Sequence, residues 1–165
     1  MTRQRERTAY HEAGHAVVGF FERPHSVRRI TIQPDKDCLG QTIGTLVERL
    51  KYLDAPVTDR MRRRIEQEII TLLAGAQSER RFAPKARLGG DFHDVRAASH
   101  LAGSLTGSVE ATQAYVEYCQ VCARDAVTVH WSEIQRVASA LLKKTTLLGP
   151  ELAMILKSAR REAQP

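Results

Sequence analysis

Small and apolar residues recur at intervals of three and four between Arg3 and about Phe21, beginning with Ala9, Ala13 and Ala16. That spacing is typical of one buried face of an α-helix. The period then changes, because residues 26–33 carry β-branched side chains and are flanked by turn residues. We therefore predict a first helix followed by a strand.

A second, shorter strand is expected in "LGQTIGTLVE", and "DKDCLG" is the turn that joins it to the first strand as a hairpin. Thr58 is a good N-cap for a long helix over 59–82, in which Gly75 predicts close packing against a neighbour. After the loop "APKARLGG", helical patterns cover about 91–105, 109–129 and 131–144, and Pro150 fits the first turn of a short closing helix.

These elements predict a mainly α protein of the α+β class, with one small two- or three-stranded sheet beside the first helix. No repeat or linker divides the chain, so we expect residues 1–165 to form a single domain. The hydrophobic share of 42% and the charged share of 27% are those of an ordinary globular protein.

The net charge of +6 arises from short basic runs, among them "DRMRRR" and "KSARRE". Such a balance suits nucleic acid, anionic lipid or an acidic protein, but it also suits a solvated helical surface. We favour the solvated surface and expect no nucleic-acid partner, because no aromatic residues interleave the runs and no DNA-binding motif is present.

The three cysteines, Cys38, Cys119 and Cys122, do not suggest a disulfide scaffold. Cys119 and Cys122 form a CxxC inside a helical pattern without a second metal-binding pair, so helix-buried thiols are favoured over zinc ligands. The first residues are polar, and no apolar run reaches the ~18 residues of a membrane span. We expect a soluble, cytoplasmic protein.

His11, Glu12 and His15 form an HExxH motif on the first helix. Residues four apart lie one turn above another, so both imidazoles can face a single zinc ion. Zinc with three protein ligands keeps a position for water, and Glu12 beside the first ligand can act as its general base. The alternative is an ordinary helix with hydrogen-bonded histidines.

A third ligand must come from elsewhere in the chain, and Asp91, His93, Asp94 and Glu79 are candidates. Asp94 falls in the first turn of its helix after a glycine-rich loop. Asp91 is equally suited to be the N-cap of that helix, and His93 to be a loop histidine. The residues themselves leave this choice open.

"YHEAGHAVV" resembles the zinc-binding helix of the FtsH-type ATP-dependent zinc metalloproteases. The resemblance continues in order through "HSVRRITIQPDKDCLGQT", the long helix over 59–82, "DVRAASHLA" and "ALLKKTTLLGPEL". It implies a zinc site of His11, His15 and Asp94 with Glu12 as catalytic base. It also implies that Glu79 orients a ligating histidine and that the strand over 27–33 is the edge that receives an extended peptide.

The chain departs from the family pattern at several points. "GGDFHD" is longer than the family's approach to its aspartate, Arg80 stands where a second glutamate is usual, and residues 103–112 lack the family's tryptophan-glycine segment. No GxxxxGK[ST] phosphate loop occurs in the 165 residues, so we expect no ATPase activity from them.

The leading hypothesis is a metalloendopeptidase with one Zn²⁺ per chain that cleaves unfolded or flexible protein segments. One alternative is a peptide- or partner-binding module that keeps the fold without catalysis. Another is the proteolytic part of a complex with a separate ATPase, and a homo-oligomer is compatible with each of these hypotheses.

Overall fold

The computed structural model describes residues 3–23, 26–34, 40–44, 57–85 and 92–162. Within them the helices are α1 (Arg3–Glu22), α2 (Asp59–Phe82), α3 (Phe92–Gly103), α4 (Val109–Val129), α5 (Trp131–Lys144) and α6 (Gly149–Glu162). The strands are β1 (Val27–Thr31), β2 (Gln41–Gly44) and β3 (Thr146–Leu148). The mainly helical fold with one small sheet is therefore confirmed.

Helix α1 lies at the centre of the molecule and packs against α2 and α5. Its predicted apolar face is the buried one, since Ala9, Ala13, Ala16 and Val17 are fully buried. Small side chains let the neighbouring helices approach closely. Gly14 shows how closely, because a Cβ placed there would lie 2.6 Å from Cβ of Ser78 in α2.

Helix α2 begins where the sequence predicts it. The Thr58 hydroxyl accepts a hydrogen bond from the Met61 amide at 3.3 Å, which satisfies one of the free amides of the first turn. Ile65, Ile69 and Leu73 point into the core from successive turns. α2 also packs against α3 and α4.

The sheet has the order β2-β1-β3 and is antiparallel throughout. The predicted hairpin of β1 and β2 is confirmed, with Ile30 opposite Thr42, although residues 35–39 of its turn and 45–48 of the expected second strand lie outside the described residues. Strand β3 was not predicted and pairs with the other side of β1, with Leu147 opposite Ile30.

The third strand corrects one expectation. β1 is the central strand and is paired on both sides, so it cannot be the edge that receives a peptide. In the described part of the chain, β2 pairs only with β1, and its other side is an edge of the sheet. β2 also contacts α1.

The predicted bounds of α4 and α5 agree with the structure, and Pro150 lies in the first turn of α6. Cys119 is buried and Cys122 half-buried on α4, and both are free thiols, as expected for a CxxC inside a helix. Cys38 lies outside the described residues. None of the helices in the described ranges is long and apolar enough to cross a membrane.

Candidate metal centre

His11 and His15 lie one turn apart on α1, and their rings converge on Asp94 in the first turn of α3. The two Nε2 atoms are 3.0 Å apart. Asp94 Oδ2 lies 3.1 Å from Nε2 of His11 and 3.3 Å from Nε2 of His15. Three potential ligand atoms from two helices therefore form a nearly equilateral triangle.

The triangle has the dimensions of a zinc site. Two ligands of a tetrahedral ion at ~2.0–2.1 Å are about 3.3 Å apart, close to the three observed distances. Among the described residues, His11, His15 and Asp94 are the one group of three or more His, Cys, Asp or Glu side chains that could hold a metal ion. Two imidazoles and one carboxylate are also a donor set that zinc accepts.

Both histidines are oriented by hydrogen-bond acceptors behind them. Nδ1 of His15 lies 2.8 Å from the Thr71 carbonyl oxygen, and Nδ1 of His11 lies 3.2 Å from Oε2 of Glu79. An imidazole that donates from Nδ1 presents the lone pair of its Nε2 to a metal. The contacts from α2 therefore favour the tautomers that a metal site needs.

Gly75 of α2 lies against the Nε2 atoms of the two imidazoles. A Cβ at this position would overlap Nε2 of His15 and would lie 2.9 Å from Nε2 of His11. The prediction that Gly75 permits close packing is confirmed, and the neighbour that it admits is the pair of histidines.

Glu12 is buried beside the histidines. Its Oε2 accepts a hydrogen bond from the Thr42 hydroxyl of β2 at 2.7 Å. A Cβ at Gly40 would lie 2.9 Å from Oε1 of Glu12, so the backbone that leads into β2 packs directly on this carboxylate. The Glu12 side chain therefore lies between the ligand helix and the edge strand.

The pKa values of the clustered side chains are shifted by burial and by one another. Burial lowers the pKa of His11, but hydrogen bonds with Asp94 and Glu79 outweigh burial and raise it to about 10. Burial alone would raise the pKa of Asp94, but the charges and hydrogen bonds of the two histidines hold it well below its usual range. Burial raises the pKa of Glu12 above its ordinary value despite the nearby histidines. Asp94 is thus an anion at neutral pH, as a metal ligand must be.

The structure separates the candidates for a third ligand. Asp94 joins the two histidines, whereas His93 is exposed on α3 and is not part of the cluster. Glu79 lies behind His11 rather than beside Nε2. Asp91 lies outside the described residues.

Two residues that contribute to the site, Thr42 and Arg7, were not identified by any sequence motif. Thr42 is part of the "LGQT" stretch, but its contact with Glu12 depends on how β2 packs against α1. Arg7 is one of many arginines in the sequence, and its contact with Glu79 joins residues 72 positions apart. A helical spacing of four between Arg7 and His11 is the one local signal that places both on the same face of α1.

Comparison with known proteins identifies the family. The sequence profile of peptidase family M41 matches residues 1–106, well over half of the chain. The chain belongs to peptidase family M41. This confirms the resemblance to the FtsH-type peptidase domain, and the family is one of peptidases.

The relatives that match include proteins named ATP-dependent zinc metalloprotease FtsH, of which three are described. FtsH 1 of Symbiobacterium thermophilum is 28% identical over 93% of this chain and 29% of its own length. FtsH of Lactococcus lactis is 25% identical over 96% of this chain and 27% of its own length. FtsH of Haemophilus influenzae is 32% identical over 62% of this chain and 15% of its own. This M41 chain thus spans less than a third of the length of these relatives.

Proposed function

We propose that this M41 domain is a zinc metalloendopeptidase that hydrolyses peptide bonds in unfolded or flexible protein segments. The observation that carries the proposal is the position of Glu12. A buried carboxylate on the residue next to His11 has no use in a purely structural metal site, but a hydrolytic site needs a base there.

His11, His15 and Asp94 would hold one zinc ion per chain. When bound, zinc supplies a Lewis acid for the scissile carbonyl and lowers the pKa of water toward ~7. Glu12 then accepts a proton from the attacking water and passes it to the leaving amine. Thr42 holds the Glu12 carboxylate by its hydrogen bond at 2.7 Å, and burial raises the pKa of Glu12 above its ordinary value.

The edge of the sheet favours binding of a substrate in an extended conformation. The outer edge of β2 is unpaired in the described part of the chain, and β2 carries the Thr42 side chain that touches Glu12. We propose that a peptide adds to this edge as a further strand, so that its backbone passes Glu12. Only an unfolded or flexible segment can adopt that conformation.

The curated relatives are named ATP-dependent, which supports a second, compatible assignment. In that assignment the domain is the proteolytic part of an assembly whose ATPase unfolds the substrate. Casein, which is largely unfolded, is then cleaved by this chain alone, whereas a stably folded substrate is not.

The test is cleavage of casein by the zinc-loaded protein. We expect Glu12→Gln to reduce kcat by at least about 10²-fold while zinc content stays at one ion per chain, because the amide keeps the shape but cannot accept the proton. Removal of the metal with EDTA should abolish cleavage, and added zinc should restore it. The matched control is Glu117→Gln, which changes an exposed glutamate of α4 and should leave kcat unchanged. Cleavage that survives both Glu12→Gln and EDTA would overturn the proposal.

A further inference from the structure

A line of polar contacts runs from the surface of α1 into the metal centre. Arg7 lies one turn before His11 on α1, and its Nε and Nη2 atoms both donate to Oε1 of Glu79, at 2.8 and 2.5 Å. The other oxygen of the same carboxylate, Oε2, is 3.2 Å from Nδ1 of His11. The two oxygens of Glu79 are thus divided between the guanidinium and the imidazole.

The contact of Arg7 with the second oxygen matters because a carboxylate with a single hydrogen bond can rotate about its terminal torsion. The terminal torsion of a glutamate is broad, so a single hydrogen bond to His11 would leave the plane of the Glu79 carboxylate poorly defined. Two donors of a rigid guanidinium on Oε1 fix that plane and leave Oε2 aimed at Nδ1. The ring of His11 is then held with Nε2 toward Asp94, at 3.1 Å.

We propose that Arg7 is a positioning residue of the metal centre, which fixes Glu79 so that Glu79 orients His11, and that it thereby tightens zinc binding without touching the ion. The inference rests on the zinc site of the proposed function, but it does not require that the site be catalytic. Partners behind a ligating histidine typically change metal affinity by about 10–100-fold, and the effect of Arg7 is one contact further removed.

A second ion pair in the same region provides a matched control. Arg23 follows the end of α1 and pairs with Glu68 of α2. The side chains of this pair are 17% and 9% exposed, against 15% and 6% for Arg7 and Glu79. Within the described ranges, Glu68 makes no hydrogen bond with His11, His15 or Asp94, and it acts on His15 through its charge alone. The Arg23 pair therefore joins the two helices without holding a ligand side chain in place.

The experiment measures the zinc dissociation constant of the full 165-residue chain at about pH 7.5, by competition with a chromophoric chelator. The variants are Arg7→Met, Glu79→Gln, their double mutant and Arg23→Met. Methionine keeps an unbranched apolar stem and removes the donors. We expect about a tenfold weaker affinity for Arg7→Met, a loss of about 10–100-fold for Glu79→Gln, and no more than about a twofold change for Arg23→Met.

The double mutant tests the route of the effect. If Arg7 acts through Glu79, Arg7→Met should change the affinity less than about threefold in the Glu79→Gln background, because the contact that transmits its effect is already altered. Arg7→Lys keeps the charge but offers a single ammonium in place of the fork, so its affinity should fall between those of the wild type and Arg7→Met. Circular dichroism of each variant without zinc checks that the helices are retained.

Three results would overturn the inference. These are a zinc affinity unchanged by Arg7→Met or Arg7→Lys, an equal loss in Arg23→Met, or an effect of Arg7→Met that is undiminished in the Glu79→Gln background. The proposed peptidase function fails differently, through a wild-type protein that binds zinc tightly and does not cleave casein. Zinc affinity and cleavage therefore separate the two proposals.

Discussion

Gly75 shows how a single residue without a side chain shapes the candidate metal centre. The two imidazoles occupy the space where a Cβ would lie, and the backbone of α2 lies against their Nε2 atoms. Glycine within a helix is less favourable than alanine by about 0.8–1.0 kcal/mol. At position 75 this cost to helix stability is accompanied by space for the two imidazoles. The histidines can lean against α2 only because that room exists.

We predict that Gly75→Ala weakens zinc binding by about tenfold or more. The added methyl group overlaps Nε2 of His15 and crowds His11, and over-packing of this kind costs about 1–3 kcal/mol. The measurement is the zinc dissociation constant together with the free energy of unfolding in urea.

Gly103→Ala is the control for Gly75→Ala. Gly103 ends α3, and apart from its chain neighbours and the backbone of its own helix no heavy atom of the described residues lies within 4 Å of the position that its Cβ would take. Alanine there therefore meets no packing partner. We expect unchanged zinc affinity and a stability that is equal or higher by up to about 1 kcal/mol. Equal zinc affinities for Gly75→Ala and the wild type would contradict the assigned role of Gly75.

At the scale of secondary-structure elements, strand β3 determines the topology of the sheet. It has three residues, and Thr145 before it has a positive φ of 62°, an uncommon conformation for a β-branched residue. The Ile32 amide donates to the Thr145 carbonyl oxygen at 2.9 Å, so this turn is tied to the chain just beyond β1. β3 thus covers one side of β1 and leaves β2 at the other edge.

Adjacent residues of β3 provide a matched pair of substitutions. Leu147 is 3% exposed and packs in the core, whereas Leu148 is 52% exposed. We expect Leu147→Ala to lower the free energy of unfolding by about 2–5 kcal/mol, because it removes buried methyl groups and leaves a cavity. Leu148→Ala should change it by less than about 0.5 kcal/mol.

Urea denaturation followed by circular dichroism measures both leucine variants. Similar losses of unfolding free energy for Leu147→Ala and Leu148→Ala would contradict the described alternation, in which Leu147 is buried and Leu148 is exposed. A decrease of about 2–5 kcal/mol in the free energy of unfolding for Leu147→Ala would confirm that β3 unfolds together with the core.

At the scale of the whole molecule, the candidate ligands join parts of the chain that are far apart in sequence. His11 and His15 come from the central helix α1, and Asp94 comes from α3, 83 positions after His11. A ligand that binds only the folded state stabilises it by RT ln(1 + [L]/Kd). Zinc at this site should therefore stabilise the packing of α3 against the rest of the fold.

We predict that zinc at about 1,000 times its Kd raises the free energy of unfolding by ~4 kcal/mol. For a domain of this size that corresponds to a rise in Tm of roughly 8–16 °C. The measurement is thermal unfolding with and without zinc. Magnesium at the same concentration should have little effect, because it prefers an octahedral set of oxygen ligands.

Asp94→Asn should remove most of the zinc-dependent rise in Tm, since it replaces the carboxylate that faces both imidazoles. His93→Asn is the matched control, because His93 is exposed one position away and is not part of the cluster. A rise in Tm that survives Asp94→Asn but is lost in His93→Asn would reverse the assignment.

Features that depend on local spacing could be predicted from the sequence alone. The six helices of the described ranges, the β1–β2 hairpin and the pairing of His11 with His15 follow from periodicity, caps and turn residues within short windows. Glu12 is placed beside the histidines by the same motif. These features need no knowledge of which elements meet, because the geometry of a helix or hairpin already brings the residues together.

Features that depend on how the elements meet required the folded structure. The family resemblance implies Asp94, but local spacing does not distinguish it from His93. The two residues differ by one position on α3 and neighbours on a helix point about 100° apart, so the packing of α3 determines which of them faces the histidines. The contact of Glu79 with His11 joins residues 68 positions apart, and the pairing of β3 with β1 spans a still longer stretch of chain. Sequence periodicity assigns a side chain to a face of its own element, and long-range packing determines what that face touches.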